Sequence, residues 1–280
     1  MIFINSMIIN KLSESVKIPY QMAKGSFAQR QAKANSLSEK LYKNLANELK
    51  DNYTIFDFEQ LQTKLHEVLP DKNLKVIVQN LSPEHGNNCE GICEVLYNKN
   101  KEIRALSVGM NGISSSLRSV HLPAFIHEIQ HVADDIFHPK YLSRLQSLNK
   151  KGLANKKYDN FYDAYYYSPE FIESKHDKKN ALKIVKNKTK KFLRRLSIHQ
   201  KMDYLQDMRY SLVSEIEAYK IQRTVAQDLK SKGFMIKEFD LENFPRNNLF
   251  EEKIELLKNL ALEYMTKERS KHVSRLKKGK

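Results

Sequence analysis

The stretch PAFIHEIQHVADDIF, residues 123–137, constrains the fold more than any other part of the chain. At about 100° per residue, Phe125, Ile126, Ile129, Val132, Ala133, Ile136 and Phe137 fill one arc of roughly 140°. His127, Glu128, His131, Asp134 and Asp135 fall on the opposite side. A segment divided in this way is stable as a helix with its back buried in a core, so the rest of the chain must supply that core. Pro123 suits the first turn, and the spacing predicts a helix over about 120–137. Its polar side is expected to line a cleft.

The flanking sequence supplies partners for the apolar side. Phe27, Leu37, Leu41, Leu45 and Leu49 recur at helical spacing within residues 21–50. In IFDFEQLQTKLHEVL, Asp57 is an expected N-cap, with Gln60 three residues on and Phe56 placed to staple against Leu61. LKVIVQNL (74–81) reads as a strand. ICEVLYNKNKEIRALSVG (92–109) reads as two strands joined by an Asn/Lys turn. Further on, a helix is expected at about 200–231, stopped by Gly233, and another from about 249. This order gives an α+β fold, mostly helical, with a small antiparallel sheet before the central helix. The expected organisation is an N-terminal helical part (1–72), a core (73–265) carrying a basic helical insertion at 139–204, and a basic tail (266–280).

Charge supports the insertion. Residues 1–138 hold 15 Lys/Arg and 15 Asp/Glu, whereas residues 139–204 hold 17 against 6 and the last fifteen hold 7 against 1. The net charge of +15 therefore lies outside the segment that holds the two histidines. Cys89 and Cys93 are the only cysteines, so no disulfide framework is implied, and both read as reduced thiols. No apolar run reaches the roughly 18 residues of a membrane span. The opening MIFINSMIIN lacks a basic region and a small-residue cleavage site, and reads as a strand or packed arm rather than a signal peptide. The expected location is cytoplasmic, or translocated by another route as an effector.

The chemistry rests on His127, Glu128 and His131, spaced H-E-x-x-H. Residues four apart stand one above the other on a helix, so both imidazoles can reach one metal ion, with Glu128 beside its open side. A third protein ligand is needed. His138 is one residue too late for the H-x-x-G-x-x-H extension and precedes Pro139. His176 and His199 lie in the basic region. In SLVSEIEAYKIQ (211–222), Glu215 borders the apolar stripe Leu205, Met208, Leu212, Ile216, Tyr219, where a carboxylate needs a partner. Glu217 is turned about 200° from it and remains an alternative.

H-E-I-Q-H followed by E-I-E-A on a later helix resembles the gluzincin class of zinc metallopeptidases, and its E-x-x-A form resembles the ImmA/IrrE-like branch and related bacterial metallopeptidases. The resemblance implies a zincin-like fold, a Zn²⁺ cofactor held by His127, His131 and Glu215, and Glu128 as the catalytic base. Ala218 matches the small residue that lets the two helices approach. The 84 residues from His131 to Glu215 exceed the few tens usual in the class, in keeping with an insertion at 139–204. Tyr219 stands where relatives often carry Asp or Asn.

The expected function is therefore hydrolysis of peptide bonds in a protein or peptide substrate. The strand near Ile103–Val108 is expected to be the edge that pairs with the substrate. Tyr162, Tyr165, Tyr166, Tyr167, Tyr210 and Tyr219 are candidate oxyanion donors. Asp134 or Asp135, the latter better placed, is a candidate to orient an imidazole, an exposed acid or a helix N-cap partner being the alternative. The run KKNALKIVKNKTKKFLRR (178–195) offers an anionic partner, nucleic acid or membrane, a basic surface. The rival reading is a non-catalytic basic helical protein that binds such a partner.

Overall fold

The computed structural model describes residues 25–71, 74–81, 90–100, 103–111, 115–139, 141, 143, 175–236 and 243–278. The opening MIFINSMIIN, Cys89 and the tyrosines at 162, 165, 166 and 167 lie outside them.

Helix α1 (Phe27–Ala46) begins at a capping box, in which Ser26 and Gln29 exchange side-chain and backbone hydrogen bonds. Strand β1 (Ile55–Asp57) leads into α2 (Phe58–Val68), and Asp57 caps α2 by accepting from the Gln60 amide at 2.6 Å. Strands β2 (Val76–Asn80), β3 (Gly91–Tyr97) and β4 (Ile103–Met110) follow, then β5 (Ser116–Arg118), a 3₁₀ turn (Ser119–His121) and α3 (Leu122–Phe137). The later helices are α4 (Lys175–Leu193), α5 (Ile198–Ser231), α6 (Asn243–Asn247) and α7 (Phe250–Lys278). Helix α5 ends at Gly233, whose φ of 83° is the left-handed conformation that glycine adopts without steric cost. The fold is thus mostly helical with a small sheet.

The sheet differs from the expected one in two respects. Strands β3 and β4 form the antiparallel hairpin, but β2 joins the other side of β4 in parallel, so the order is β2-β4-β3 and the sheet is mixed. Strand β4 is therefore central, and the expectation that Ile103–Val108 forms the free edge is overturned. The sequence reason is visible afterwards. IRALSVGM is nearly continuous in apolar character, as suits a strand hydrogen-bonded on both sides and covered by core. The edge nearer α3 is β3, half-buried along its whole length. Strand β1 pairs separately and antiparallel with β5.

The chain divides into two compact units, one from Met1–Leu153 with Glu217–Phe239, the other from Ala154–Ile216 with Asp240–Lys280. Leu37, Leu41 and Leu45 of α1 and Leu61 and Leu65 of α2 share one core with Val108 and Met110 of β4 and Phe125, Ile129 and Val132 of α3. The N-terminal helices are thus part of that core. Ile221, Val225 and Leu229, from the second half of α5, join it.

In the second unit, Lys178 pairs with Glu252, and Lys190 pairs with Glu263 at 3.0 Å. Lys179, Lys183 and Lys186 of α4 are exposed. Helix α7 continues through Lys278, so much of the expected tail is helix. Among the described residues no helix is long and apolar enough to cross a membrane.

Candidate metal centre

Helix α3 is buried nearly all round; only His131 and Asp135 escape full burial. Its polar side does not simply face an open cleft. Set His127 at zero, and Gln130 and Asp134 lie about 20–60° to one side, while His131, Asp135 and Glu128 lie about 40–100° to the other. The first group packs against α1. Asp134 accepts from Gln31 Nε2 at 2.7 Å and from Gln130 Nε2 at 2.9 Å, and is fully buried. These bonds make Asp134 a link between α3 and α1. Asp135 lies on the β3 side, where its charge helps to raise the Tyr97 phenol and the Cys93 thiol; burial is the larger cause for both.

The second group forms the site. The Nε2 atoms of His127 and His131 stand 3.2 Å apart. One ligand atom each from His127, His131 and Glu215 lies within 4.8 Å of the others, so this group could hold a metal ion. The geometry can be tested against metal chemistry. Two donors bound at about 2.0–2.1 Å in tetrahedral coordination stand roughly 3.3–3.4 Å apart, close to the spacing of the two nitrogens. The imidazoles are also in the ligating form. Burial, then the neighbouring His131, hold His127 well below its ordinary value, with Gln222 pulling weakly the other way. Burial brings His131 down to about 4. Both rings are therefore neutral at pH 7, with lone pairs available.

Glu215 reaches this position on α5, a single unbroken helix of 34 residues. The division between the two units falls inside it, between Ile216 and Glu217. Glu215 is thus about half a turn from the portion packed into the first unit. Glu217, the alternative ligand, is engaged elsewhere. It accepts from Asn35 Nδ2 at 3.2 Å and from Lys220 Nζ at 2.7 Å. His176 and His199 are exposed and outside the group, and His138 is tied by Nδ1 to the Asp134 carbonyl at 3.0 Å.

Four neighbours complete the surroundings. Tyr219 packs edge-on against His127, with ring centroids 4.7 Å apart. Gln222 stands on the same stripe of α5, four and seven residues after Glu215 being the positions that share its face. Ala218, three residues after Glu215, is fully buried. Gly91, the first residue of β3, covers Glu128: a Cβ there would lie 2.7 Å from Glu128 Cγ. Sequence reasoning did not assign Gln222 or Gly91. The signals available were the i, i+4, i+7 spacing from Glu215 and a lone glycine opening a strand, which often marks a close approach.

Compared with family models, curated proteins and solved structures, the chain matches none.

Proposed function

We propose that the chain is a zinc-dependent metallopeptidase that hydrolyses peptide bonds in a protein substrate. The observation that carries this reading is the convergence of His127, His131 and Glu215, with Glu128 next to the first of them on the same helix. A His₂Glu donor set is one that catalytic zinc uses, leaving one coordination position open. Bound there, zinc supplies Lewis acidity toward a carbonyl and lowers the pKa of a coordinated water.

The chain's own residues supply the rest. Glu128, nearly buried and held under Gly91, is the base that takes a proton from the attacking water and returns it to the leaving amine. Among the described residues β3 pairs with β4 alone, and its other side is where an extended peptide would add as a further strand. Tyr219 supports the His127 ring. This reading agrees with the resemblance to the ImmA/IrrE-like branch of the gluzincins, including the E-x-x-A helix.

Zinc content and cleavage test it together. Protein purified without chelators should carry close to one zinc per chain, lost in His127→Ala with the fold retained. Glu128→Gln should keep the zinc and lose hydrolysis of unfolded casein. A wild-type protein without zinc, or a Glu128→Gln variant that still cleaves, overturns the proposal.

A further inference from the structure

We infer that Asn35, on α1, is a positioning residue that fixes the spacing between the two helices carrying the metal ligands; this rests on the metal site proposed above. Four side chains form a closed ring at the interface of α1 and α3. The amide of Gln31 donates to Asn35 Oδ1 at 3.2 Å and to Asp134 Oδ1 at 2.7 Å. The amide of Gln130 donates to the same two oxygens, both at 2.9 Å. Ser38 Oγ donates to Gln130 Oε1 at 2.8 Å. Two NH₂ groups thus place all four hydrogens on two shared acceptors. Gln130, Asp134 and Ser38 are buried, where each bond counts for more than in water.

Asn35 has a second function in this ring. Its own amide donates to Glu217 Oε2 at 3.2 Å. One side chain therefore bonds both the residue just before the ligand His131 and the residue two after the ligand Glu215. It touches neither ligand. Its effect must pass through the placement of α5 against α3. A glutamate side chain has three rotatable bonds, so a carboxylate is preorganised for a metal only if its backbone is held. Tyr219 and Gln222 meet His127 itself, whereas the Asn35 bridge ties helix to helix.

The tether separates cleanly from a ligand role for Glu217 and from mere packing. Glu217→Gln keeps an acceptor for Asn35 but removes the carboxylate. Asn35→Asp keeps the acceptor for both glutamines but sets a carboxylate against Glu217. The double variant Asn35→Asp/Glu217→Gln restores one bond with donor and acceptor exchanged. Glu217→Ala removes the tether while leaving the α1–α3 ring intact, so it tests the idea even where Asn35→Asp folds poorly. Apparent zinc affinity by chelator competition and the Co²⁺ d–d absorption are the readouts, the latter reporting coordination rather than stability.

Glu217→Gln should match wild type. Asn35→Asp and Glu217→Ala should bind about ten- to a hundredfold more weakly, the range for loss of an outer support of a metal site, with a weaker and shifted Co²⁺ band. The double variant should recover to within about threefold of wild type. Lys220→Ala should change nothing. The inference fails if Glu217→Ala binds as wild type does, if the double variant does not recover, or if Glu217→Gln alone loses the metal. A wild-type chain that takes up neither Zn²⁺ nor Co²⁺ overturns the metal site and the tether together. A wild-type chain that binds metal while Asn35→Asp leaves affinity and spectrum unchanged overturns the tether alone.

Discussion

Gly91→Ala tests whether the position of Glu128 matters to the chemistry. Gly91 opens β3 directly opposite Met110 of β4. An alanine Cβ there would lie 2.7 Å from Glu128 Cγ and 2.8 Å from Met110 Sδ. Ordinary carbon contacts are about 3.5–4.0 Å, so something must move by roughly 1 Å. Met110 is fully enclosed, and Glu128 projects from a helix buried on nearly every side, so no neighbour yields freely. Overpacking of this kind costs about 1–3 kcal/mol, offset by up to about 1 kcal/mol because alanine restricts the unfolded chain. The expected loss of stability is therefore small. A displacement of about 1 Å in a proton-transferring group can lower turnover on the order of a hundredfold. The variant should keep its zinc, melt within a few degrees of wild type and cleave unfolded casein about a hundredfold more slowly, through kcat rather than KM. Wild-type cleavage by a folded Gly91→Ala protein would refute the argument. Loss of zinc in step with activity would show that the substitution acts on the ligands instead.

Three further outcomes are expected. Glu215→Ala should weaken zinc binding at least tenfold, measured by chelator competition, because it removes one of three converging donors; unchanged affinity would remove Glu215 from the site. Tyr219→Phe should keep both zinc and fold, since the edge-on ring contact with His127 needs no hydroxyl, while Tyr219→Ala should lower zinc affinity. A further fall in kcat for Tyr219→Phe, with KM unchanged, would assign the hydroxyl to the oxyanion. Lys253 of α7 is fully enclosed, and burial brings its ammonium down from the ordinary 10.5 to about 8. Between these values the unfolded chain binds more protons than the native one, so stability from this residue rises with pH across that window and the full penalty is felt below pH 8. That penalty is worth roughly 3 kcal/mol. Lys253→Met should therefore gain stability over wild type in urea melts at pH 7, and the gap should shrink by pH 10; a gap that is constant or grows contradicts this.

The parts of the fold that could be read in advance were those where one local signal decides the outcome. Asp57 with Gln60 starts α2, Gly233 ends α5, and the two arcs of PAFIHEIQHVADDIF make α3 a helix. Strand order was not decided locally. Whether IRALSVGM is central or edge depends on which strand lies on its other side, and VIVQN joins it in parallel across a long stretch of chain. The apolar continuity of β4 suits a central place, whereas the Asn/Lys turn specifies only its β3 partner. Shared packing is likewise not a local signal. Composition separates a neutral half from a basic segment, whereas cores are shared according to packing, and α1 and α2 pack with the sheet and α3.

The same distinction explains the site. His127, His131 and Glu215, which the structure brings together, stood out in the sequence through the four-residue spacing of the histidines and a carboxylate bordering an apolar stripe. Gln130, Asp134 and Asn35 gave no such signal. On a helical wheel, Asp134 joins the histidines on one polar arc, and only the tertiary structure divides that arc between a face turned to α1 and a face turned to Glu215. A buried amide is recognised by the partner that satisfies it, and here each partner is distant: Gln31 from Asp134, Ser38 and Asn35 from Gln130, and Asn35 from Glu217. Polar residues of this kind look like surface in a single sequence, yet the bonds they make fix where the ligand-bearing helices stand. The histidines of H-E-x-x-H thus mark where a metal could bind, while the glutamine between them carries the contact that sets how α3 is held.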